Sequence, residues 1–427
     1  MNKMIELLKQ EVKPALGCTE PIAVALAVAK SVEILGEQPG KIEVKISGNI
    51  LKNGMGVGIP GTQQTGLYIA SALGAICGKS EYKLEVLKDV TPYNVVQALK
   101  MVDEKRVTIE IAPNPEKLYV EATVFSSSHT ATVIIADKHT NFVKIELDSK
   151  ILLDNYTNKS STSKDIPKIK SNLAAEITVK EIYQFATSVD FKDIEFILDC
   201  VDMNMALVKE GLKKDCGLRV GKTLMNNNNK SVYGDGLMNY AMGMTAAASD
   251  ARMAGCMLPA MSNSGSGNQG LAATVPIIVI AEKTGVDKET LARALTISHL
   301  VAIHIKGHLG QLSALCGAVI ASIGASCGIV YMRNGGYNTM CSAIKNMAGS
   351  IIGMICDGAK VGCSLKVAAG VSSAMQAAIL ALDNVCVSGN DGIIEDDIEK
   401  TLQNVAKIGS VGMQSTDELI LNIMVKK

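Results

Sequence analysis

Five short runs in the first third of the chain alternate apolar and polar residues, which is typical of strands with one buried face. The runs cover residues 41–47, 106–111, 118–124, 131–136 and 142–147. Apolar stretches over 63–77 and 93–102 lie between them and predict helices. We therefore expect a mainly antiparallel sheet with helices packed on one of its faces.

Helical spacing of apolar residues dominates the rest of the chain. Residues 2–35 predict helices on either side of a break at Pro14 and a turn at residues 17–21. Beyond Thr178, turns rich in Gly separate the remaining predicted helices, which cover 181–214, 236–256, 270–284, 288–303, 312–332, 340–355, 365–382 and 395–408.

The predicted fold class is α+β, with an N-terminal α/β sheet domain followed by a large all-α C-terminal domain. Residues 1–36 form N-terminal helices that pack near the functional site, and residues 37–153 form the α+β domain. Residues 154–177 are polar and predict a linker or exposed loop. The all-α domain takes residues 178–427.

Composition narrows the function classes. Basic and acidic residues balance at 42 each, so the chain has no positive field that would hold nucleic acid or an anionic membrane. Trp is absent and aromatic residues are 4%, which speaks against stacking on bases. The uncharged run 312–332 is interrupted by Gly and Ser, so it predicts a buried helix pair rather than a membrane span. Eleven cysteines and no recognisable export signal predict a reducing cytoplasm.

Three cysteines on segments rich in Gly are the strongest chemical signal. Cys356 and Cys363 are seven residues apart, and Cys316 precedes a Gly. Three thiolates can hold a 4Fe-4S cluster and leave one iron open to substrate. The spacing is neither that of a ferredoxin nor that of a zinc pair. Isolated buried thiols in a core rich in Met and Cys are the alternative that spacing alone leaves open.

Cys18 and Glu20 lie at the predicted turn before a helix. The positive end of the helix dipole lowers the pKa of a thiol there, so Cys18 is a candidate base, nucleophile or fourth iron ligand. Glu20 is a candidate catalytic carboxylate, and it can equally serve as a capping partner of Thr19.

Two loops rich in Gly are candidate binding segments, although plain turns explain them equally well. Residues 262–270 contain the spacing G-x-G-x-x-G, but no strand precedes it, which argues against a dinucleotide. Such a loop before a helix can bind a carboxylate through free N–H groups. The candidate binding residues of the two loops are Asn53, Ser264, Ser266, Asn268 and Gln269.

The five histidines give weaker signals. His308 lies with His304 shortly before Cys316 and is a candidate for binding substrate and handling protons. His129 and His139 lie at predicted strand ends, where an isolated histidine is usually a surface or hydrogen-bonded residue.

Several segments together resemble one known family. They are G-C-T-E-P at 17–21, N-G-M-G-V-G-I-P-G-T at 53–62, S-G-S-G-N-Q-G at 264–270, L-S-A-L-C-G at 312–317 and I-C-D-G-A-K at 355–360. The chain resembles, essentially end to end, the L-cysteine desulfidase family, a family of uncharacterised proteins related to the α-chain of iron-sulfur L-serine dehydratases. The resemblance implies a 4Fe-4S enzyme, independent of pyridoxal phosphate, that cleaves L-cysteine to pyruvate, ammonia and sulfide.

The resemblance also implies residue roles within a serine-dehydratase-α-like domain. It makes Cys316, Cys356 and Cys363 the cluster ligands. The later cysteine pair of the dehydratases has no counterpart in the tail at 410–416, so the ligand set differs and Cys18 stays open as ligand or base. Residues 126–130 are similar to the serine-binding loop of the dehydratases.

The implied reaction is a β-elimination in which an open iron activates the leaving sulfur and the Cys18 thiolate removes the Cα proton. An L-serine dehydratase that uses the same cluster is one alternative, and a non-enzymatic iron-sulfur or thiol sensor is another. The expected partners are a small amino acid and further copies of the same chain, with neither nucleic acid nor membrane.

Overall fold

The computed structural model of the chain describes residues 2–113, 116, 118–156, 173–226, 229, 234–310 and 313–426. Its strands are β1 (Pro14–Ala15), β2 (Lys41–Ile46), β3 (Val107–Ile111), β4 (Tyr119–Phe125), β5 (Thr130–Ala136), β6 (Phe142–Leu147), β7 (Lys150–Asp154) and β8 (Ala260–Met261).

The α-helices before residue 230 are α1 (Lys3–Glu11), α2 (Thr19–Leu35), α3 (Gly48–Gly54), α4 (Leu67–Cys77), α5 (Pro92–Asp103), α6 (Leu173–Glu176), α7 (Val179–Ser188), α8 (Phe191–Ile194), α9 (Asp199–Lys213) and α10 (Val220–Leu224). Those after it are α11 (Leu237–Met253), α12 (Gly267–Thr284), α13 (Lys288–Leu309), α14 (Gly317–Met332), α15 (Tyr337–Ser350), α16 (Cys363–Leu382), α17 (Ile398–Lys407) and α18 (Gln414–Val425).

A six-stranded sheet in the order β3-β2-β4-β5-β6-β7 forms the N-terminal half. The β2–β3 pair is parallel and the other pairs are antiparallel. The alternation predicted β2 to β6 correctly, since β2 buries Ile42, Val44 and Ile46 and leaves the residues between them more exposed. The edge strand β7 lacks that alternation and was not predicted. Helices α2 and α4 pack with the sheet into one hydrophobic core.

A second hydrophobic core lies among the helices of the C-terminal half, and α1 contributes Met4 and Leu8 to it. The α+β fold class is therefore confirmed. The predicted helix 181–214 is divided into α7, α8 and α9, because Asp190 caps a new helix by accepting from the Lys192 amide. The predicted helix pair at 312–332 is instead the one buried helix α14. Most of the predicted linker 154–177 lies outside the described residues, and the domain boundaries stay a prediction.

A two-stranded pairing joins the N-terminal segment to the helical half. Strand β1 pairs antiparallel with β8. Next to it, the Ser262 amide donates to the Lys13 carbonyl (2.8 Å) and the Ser264 amide donates to the Glu11 carbonyl (2.9 Å). These bonds hold the turn that carries Cys18 beside the loop that opens α12.

One helix among the described residues, α16, is long and apolar enough to cross a membrane by length and composition alone. Half of it is buried, and it packs against α11, α14 and α15. A core helix that packs against three others in this way has the same length and composition.

Candidate active site

A cavity of about 610 Å³ lies where the first turns of α2, α12, α14 and α16 meet the turn between β5 and β6. Helix N-termini carry unpaired N–H groups and a partial positive charge. Four such ends around one cavity favour a negatively charged ligand or cofactor.

Cys18 and Glu20 form a hydrogen-bonded pair in this cavity. Cys18 is the N-cap residue of α2, and its Sγ lies 3.0 Å from Oε2 of Glu20. Thr19 donates to the same oxygen (3.2 Å), and Asn53 donates to Oε1 (3.1 Å). Glu20 is therefore a buried carboxylate whose two oxygens both accept hydrogen bonds, one of them from a thiol.

The expectation that the pKa of Cys18 is lowered is wrong. Burial raises the pKa of this thiol well above its ordinary value, and the negative charge of Glu20 raises it further, while Arg252 opposes both. Burial also acts to raise the pKa of Glu20, but the nearby His139 and the hydrogen bonds from Cys18, the backbone and Asn53 outweigh it, so that pKa is lowered. The pair therefore holds its proton on sulfur and its charge on Glu20.

The three cysteines predicted as ligands line the same cavity. Cys316 and Cys356 lie on neighbouring extended segments, because the Cys316 amide donates to the Met354 carbonyl (3.0 Å) and the Cys356 amide to the Ala314 carbonyl (2.6 Å). Cys363 is the first residue of α16. All eleven cysteines of the chain are free thiols.

The chemistry of these donors fits an iron-sulfur cluster. Burial raises the pKa of Cys316 to about 12, and the nearby Cys356 and Cys363 add to that rise, so the three thiols share one electrostatic environment. Within the described ranges, no three His, Cys, Asp or Glu side chains are close enough together to bind one metal ion. A cluster distributes its cysteine ligands over several iron atoms, so it suits thiols that are spaced around a cavity.

A lysine lies next to these thiols and can compensate a negative charge on them. Lys366 donates to the Ile355 carbonyl (3.0 Å) and pairs with Asp357. Burial lowers the pKa of Lys366, but Asp357, Cys316 and Cys356 raise it more, so its pKa lies above the ordinary value. Lys366 therefore stays charged beside Cys316 and Cys356.

Gly358 fixes the cysteine segment against α3, since it has a φ of +91° and a Cβ here would overlap the Lys52 carbonyl oxygen. We expect Gly358→Ala to destabilise the fold by about 3 kcal/mol, because backbone strain and a clash with backbone add. Gly392→Ala is the matched control, with a φ of +57° and open space around it, and we expect it to cost about 1 kcal/mol. Urea unfolding measures both, and equal losses would contradict this account.

The loop that opens α12 forms another wall of the cavity. Ser266 caps α12 by accepting from the Gln269 amide (3.3 Å). Oδ1 of Asn263 accepts from Nε2 of Gln269 (2.7 Å) and from Oγ of Ser264 (3.0 Å). Asn268 lies in the same first turn and also lines the cavity. The structure thus gathers all five predicted binding residues around the cysteines, namely Asn53, Ser264, Ser266, Asn268 and Gln269.

Comparison with known proteins identifies the family. A family profile described as serine dehydratase alpha chain matches residues 81–422. The chain belongs to the serine dehydratase α-chain family. The UPF0597 protein of Bacteroides thetaiotaomicron is 47% identical over 427 residues, which cover 100% of this chain and 98% of that protein. The UPF0597 protein of Oleidesulfovibrio alaskensis is 46% identical, and that of Chromobacterium violaceum is 43% identical. Both alignments include 100% of this chain, and they include 98% and 97% of the respective relatives.

In this member of the serine dehydratase α-chain family, some cavity residues besides Lys366 were missed from the sequence, among them Arg252 and His139. Arg252 of α11 is buried and donates through Nη2 to the Gly17 carbonyl (2.8 Å). His139, interpreted as a surface or hydrogen-bonded residue, lines the cavity, and its buried Nε2 has no hydrogen-bond partner in the part of the chain that the structure describes. Burial lowers the pKa of His139, and Glu20 opposes that shift. Neither residue lies in a distinctive local motif, so only the fold reveals them.

His308, a candidate for binding substrate, does not line the cavity, so the structure does not bring it together with the other candidates and its role stays a prediction. Its ring packs edge-on against His304, with ring centroids 4.9 Å apart. His304 in turn bonds to Glu399 (2.8 Å) and to the Ala174 carbonyl (2.9 Å). This histidine pair stabilises the contact between helices.

The similarity of residues 126–130 to a serine-binding loop is not supported by their position. The segment is the turn between β4 and β5, where Ser126 accepts from the amides of Ser128 and His129. His129 is exposed and bonds to Asp148 (2.6 Å). The turn is outside the cavity and does not contribute to the site.

His299 behind the loop makes stability dependent on pH. Burial lowers its pKa from 6.5 to about 3, so between these values the unfolded chain binds a proton that the folded chain does not. Stability should therefore fall as the pH decreases below 6.5, by about 1.4 kcal/mol per pH unit from this residue. Urea unfolding at pH 7.5 and 5.5 measures this decrease in the free energy of unfolding. We expect the decrease to be smaller in His299→Gln and unchanged in the exposed control His129→Gln. An unchanged pH dependence in His299→Gln would rule this out.

Proposed function

We propose that this protein is an iron-sulfur-dependent L-cysteine desulfidase, a carbon–sulfur lyase that forms pyruvate, ammonia and sulfide. The observation that carries the proposal is that one cavity holds both Cys316, Cys356 and Cys363 and the hydrogen-bonded pair of Cys18 and Glu20. Elimination needs a group that activates the β-substituent and a base that removes the Cα proton. A sensor needs only the first of these.

The three thiols Cys316, Cys356 and Cys363 would hold a 4Fe-4S cluster, whose open iron would supply a Lewis acid for the sulfur that leaves. The thiols must lose their protons on binding metal, which the neighbouring Lys366 favours. The free state of all eleven cysteines fits a reducing cytoplasm.

The pair of Cys18 and Glu20 handles the Cα proton. Glu20 takes the proton of the Cys18 thiol, and the thiolate so formed removes the proton from Cα of the substrate. The electrons of that bond form the Cα–Cβ double bond while the Cβ–S bond breaks, and sulfide leaves with its electron pair. The 2-aminoacrylate tautomerises to an imine, and water hydrolyses the imine to pyruvate and ammonia.

L-serine dehydratase activity is the second candidate, favoured by the family profile that matches residues 81–422. The same residues would then remove the Cα proton while hydroxide leaves in place of sulfide. Steady-state pyruvate formation from L-cysteine and L-serine separates the two functions. We expect kcat/KM to be higher for L-cysteine, and a preference for L-serine would assign the protein to the second function.

A further inference from the structure

Arg252 brings a buried positive charge into the cavity. The residue is 6% exposed, and its Nε is buried with no hydrogen-bond partner among the described residues. Its guanidinium lies between the Gly17 carbonyl, to which Nη2 donates, and Gly267 at the start of α12, where a Cβ would overlap Nε. No carboxylate of the described residues forms an ion pair with Arg252, whereas Lys52 and Lys366 of the same cavity pair with Asp417 and Asp357. A buried cation of this kind is stabilised when an anion binds next to it.

Gln269 lines the same cavity, and the orientation of its side-chain amide is set by the residues behind it. Nδ2 of Asn263 donates to the backbone carbonyl of His299 (3.2 Å) and lies 2.9 Å from Nδ1 of that ring. A carbonyl can only accept, so the nitrogen of the Asn263 amide faces His299 and its oxygen faces Gln269. The group of Gln269 that meets this oxygen must be its NH₂ group, at 2.7 Å.

The acceptor oxygen of Gln269 therefore points away from Asn263. Oε1 lies 2.9 Å from the position that a Cβ of Gly317 would take, directly after Cys316. Gln269 is 1% exposed and lines the cavity. A fixed carbonyl oxygen on this wall suits a positively charged donor, whereas Arg252 and the first turn of α12 suit an anion.

We propose that Arg252 and Gln269 form the subsite for the charged head of an α-amino acid, with Arg252 binding the α-carboxylate and Oε1 of Gln269 accepting from the α-ammonium group. The proposal rests on the proposed function in taking an amino acid as the substrate. Asn263 and His299 are positioning residues, because they act only through Gln269. The subsite selects amino acids over 2-hydroxy acids and over amines that lack a carboxylate.

Isothermal titration calorimetry on the anaerobic holoprotein tests the subsite without turnover. The probes are L-alanine, which has the full head and no leaving group, and propionate, which lacks the ammonium group. Arg252→Gln should weaken both by about 100-fold, since the partner of a buried charge is lost. Gln269→Met should weaken L-alanine by about 10-fold and leave propionate unchanged.

Matched variants separate binding from folding. Arg293 is another largely buried arginine that donates to backbone carbonyls, those of Ala186 (2.6 Å) and Val189 (3.0 Å), at a distance from the cavity. Arg293→Gln should lower stability and leave both affinities unchanged. If Arg252→Gln does not fold, Arg252→Lys keeps the charge and should weaken propionate by about 10-fold, since the fork geometry is lost.

The outcomes distinguish this subsite from the proposed function. Unchanged binding in Arg252→Gln, equal losses for both probes in Gln269→Met, or no binding of either probe to the unaltered protein would overturn the subsite. If L-cysteine is cleaved while one of these results is found, only the subsite fails. If L-alanine binding depends on Arg252 and Gln269 but neither L-cysteine nor L-serine is cleaved, the subsite stands and the elimination fails.

Discussion

Serine in place of Cys363, Cys316 or Cys356 should abolish both cluster retention and elimination of L-cysteine. These three thiols line one cavity and share an electrostatic environment. Among the described residues, Cys18 is the one other thiol in this cavity that could take the place of a lost cysteine ligand. Iron and acid-labile sulfide, measured after anaerobic reconstitution, should fall together with the rate, which should drop to background.

Cys386→Ser is the control for this series, because Cys386 is an exposed free cysteine that does not line the cavity. It should keep the iron content, the sulfide content and the rate of the unaltered protein. A Cys363→Ser protein with full iron content and full rate would contradict the ligand assignment.

Glu20→Gln should lower kcat by about 10² to 10⁴-fold while the cluster content stays unchanged. The amide that replaces the carboxylate cannot accept the proton of the Cys18 thiol, and burial alone keeps the pKa of that thiol high. Thr19→Val is the matched control, since it removes one hydrogen bond (3.2 Å) to the same carboxylate and leaves the charge. We expect it to change kcat by less than about 10-fold.

Cys18→Ser separates two roles that the sequence leaves open. If Cys18 is the base, the variant keeps its iron and loses its rate as Glu20→Gln does. If Cys18 is the fourth cluster ligand, the iron content falls as in Cys363→Ser. A Cys18→Ser protein with full cluster and full rate would exclude both roles.

The sequence predicted the sheet because apolar and polar residues alternate along a strand with one buried face, as they do in β2. It did not predict α3 or α18, whose formation depends on tertiary contacts. A Cβ on Gly48 of α3 would overlap the Leu421 side chain of α18, and the buried Lys52 of α3 pairs with Asp417 of α18. Gly and Asn lower the helix propensity of α3, and both helices are too short to be stable alone, so packing of this kind decides their structure.

The candidate site likewise contains residues that local sequence reveals and residues that only the fold reveals. Cys18, Cys316 and Cys363 could be predicted because each lies in a local segment rich in Gly at the start of a helix. Arg252 could not, because it ends a helix of small residues and reaches the cavity only through the β1–β8 pairing and the turn at Gly17. His308 does not lie with these residues, because being near Cys316 in sequence does not place its ring in the cavity.

Simultaneous measurement of sulfide and pyruvate from L-cysteine by the anaerobically reconstituted protein tests the central claim most directly. We expect both products to appear in equal amounts, the rate to follow the iron content of the preparation, and borohydride treatment to trap no lysine adduct. A fully reconstituted protein that releases neither product from L-cysteine would contradict this claim.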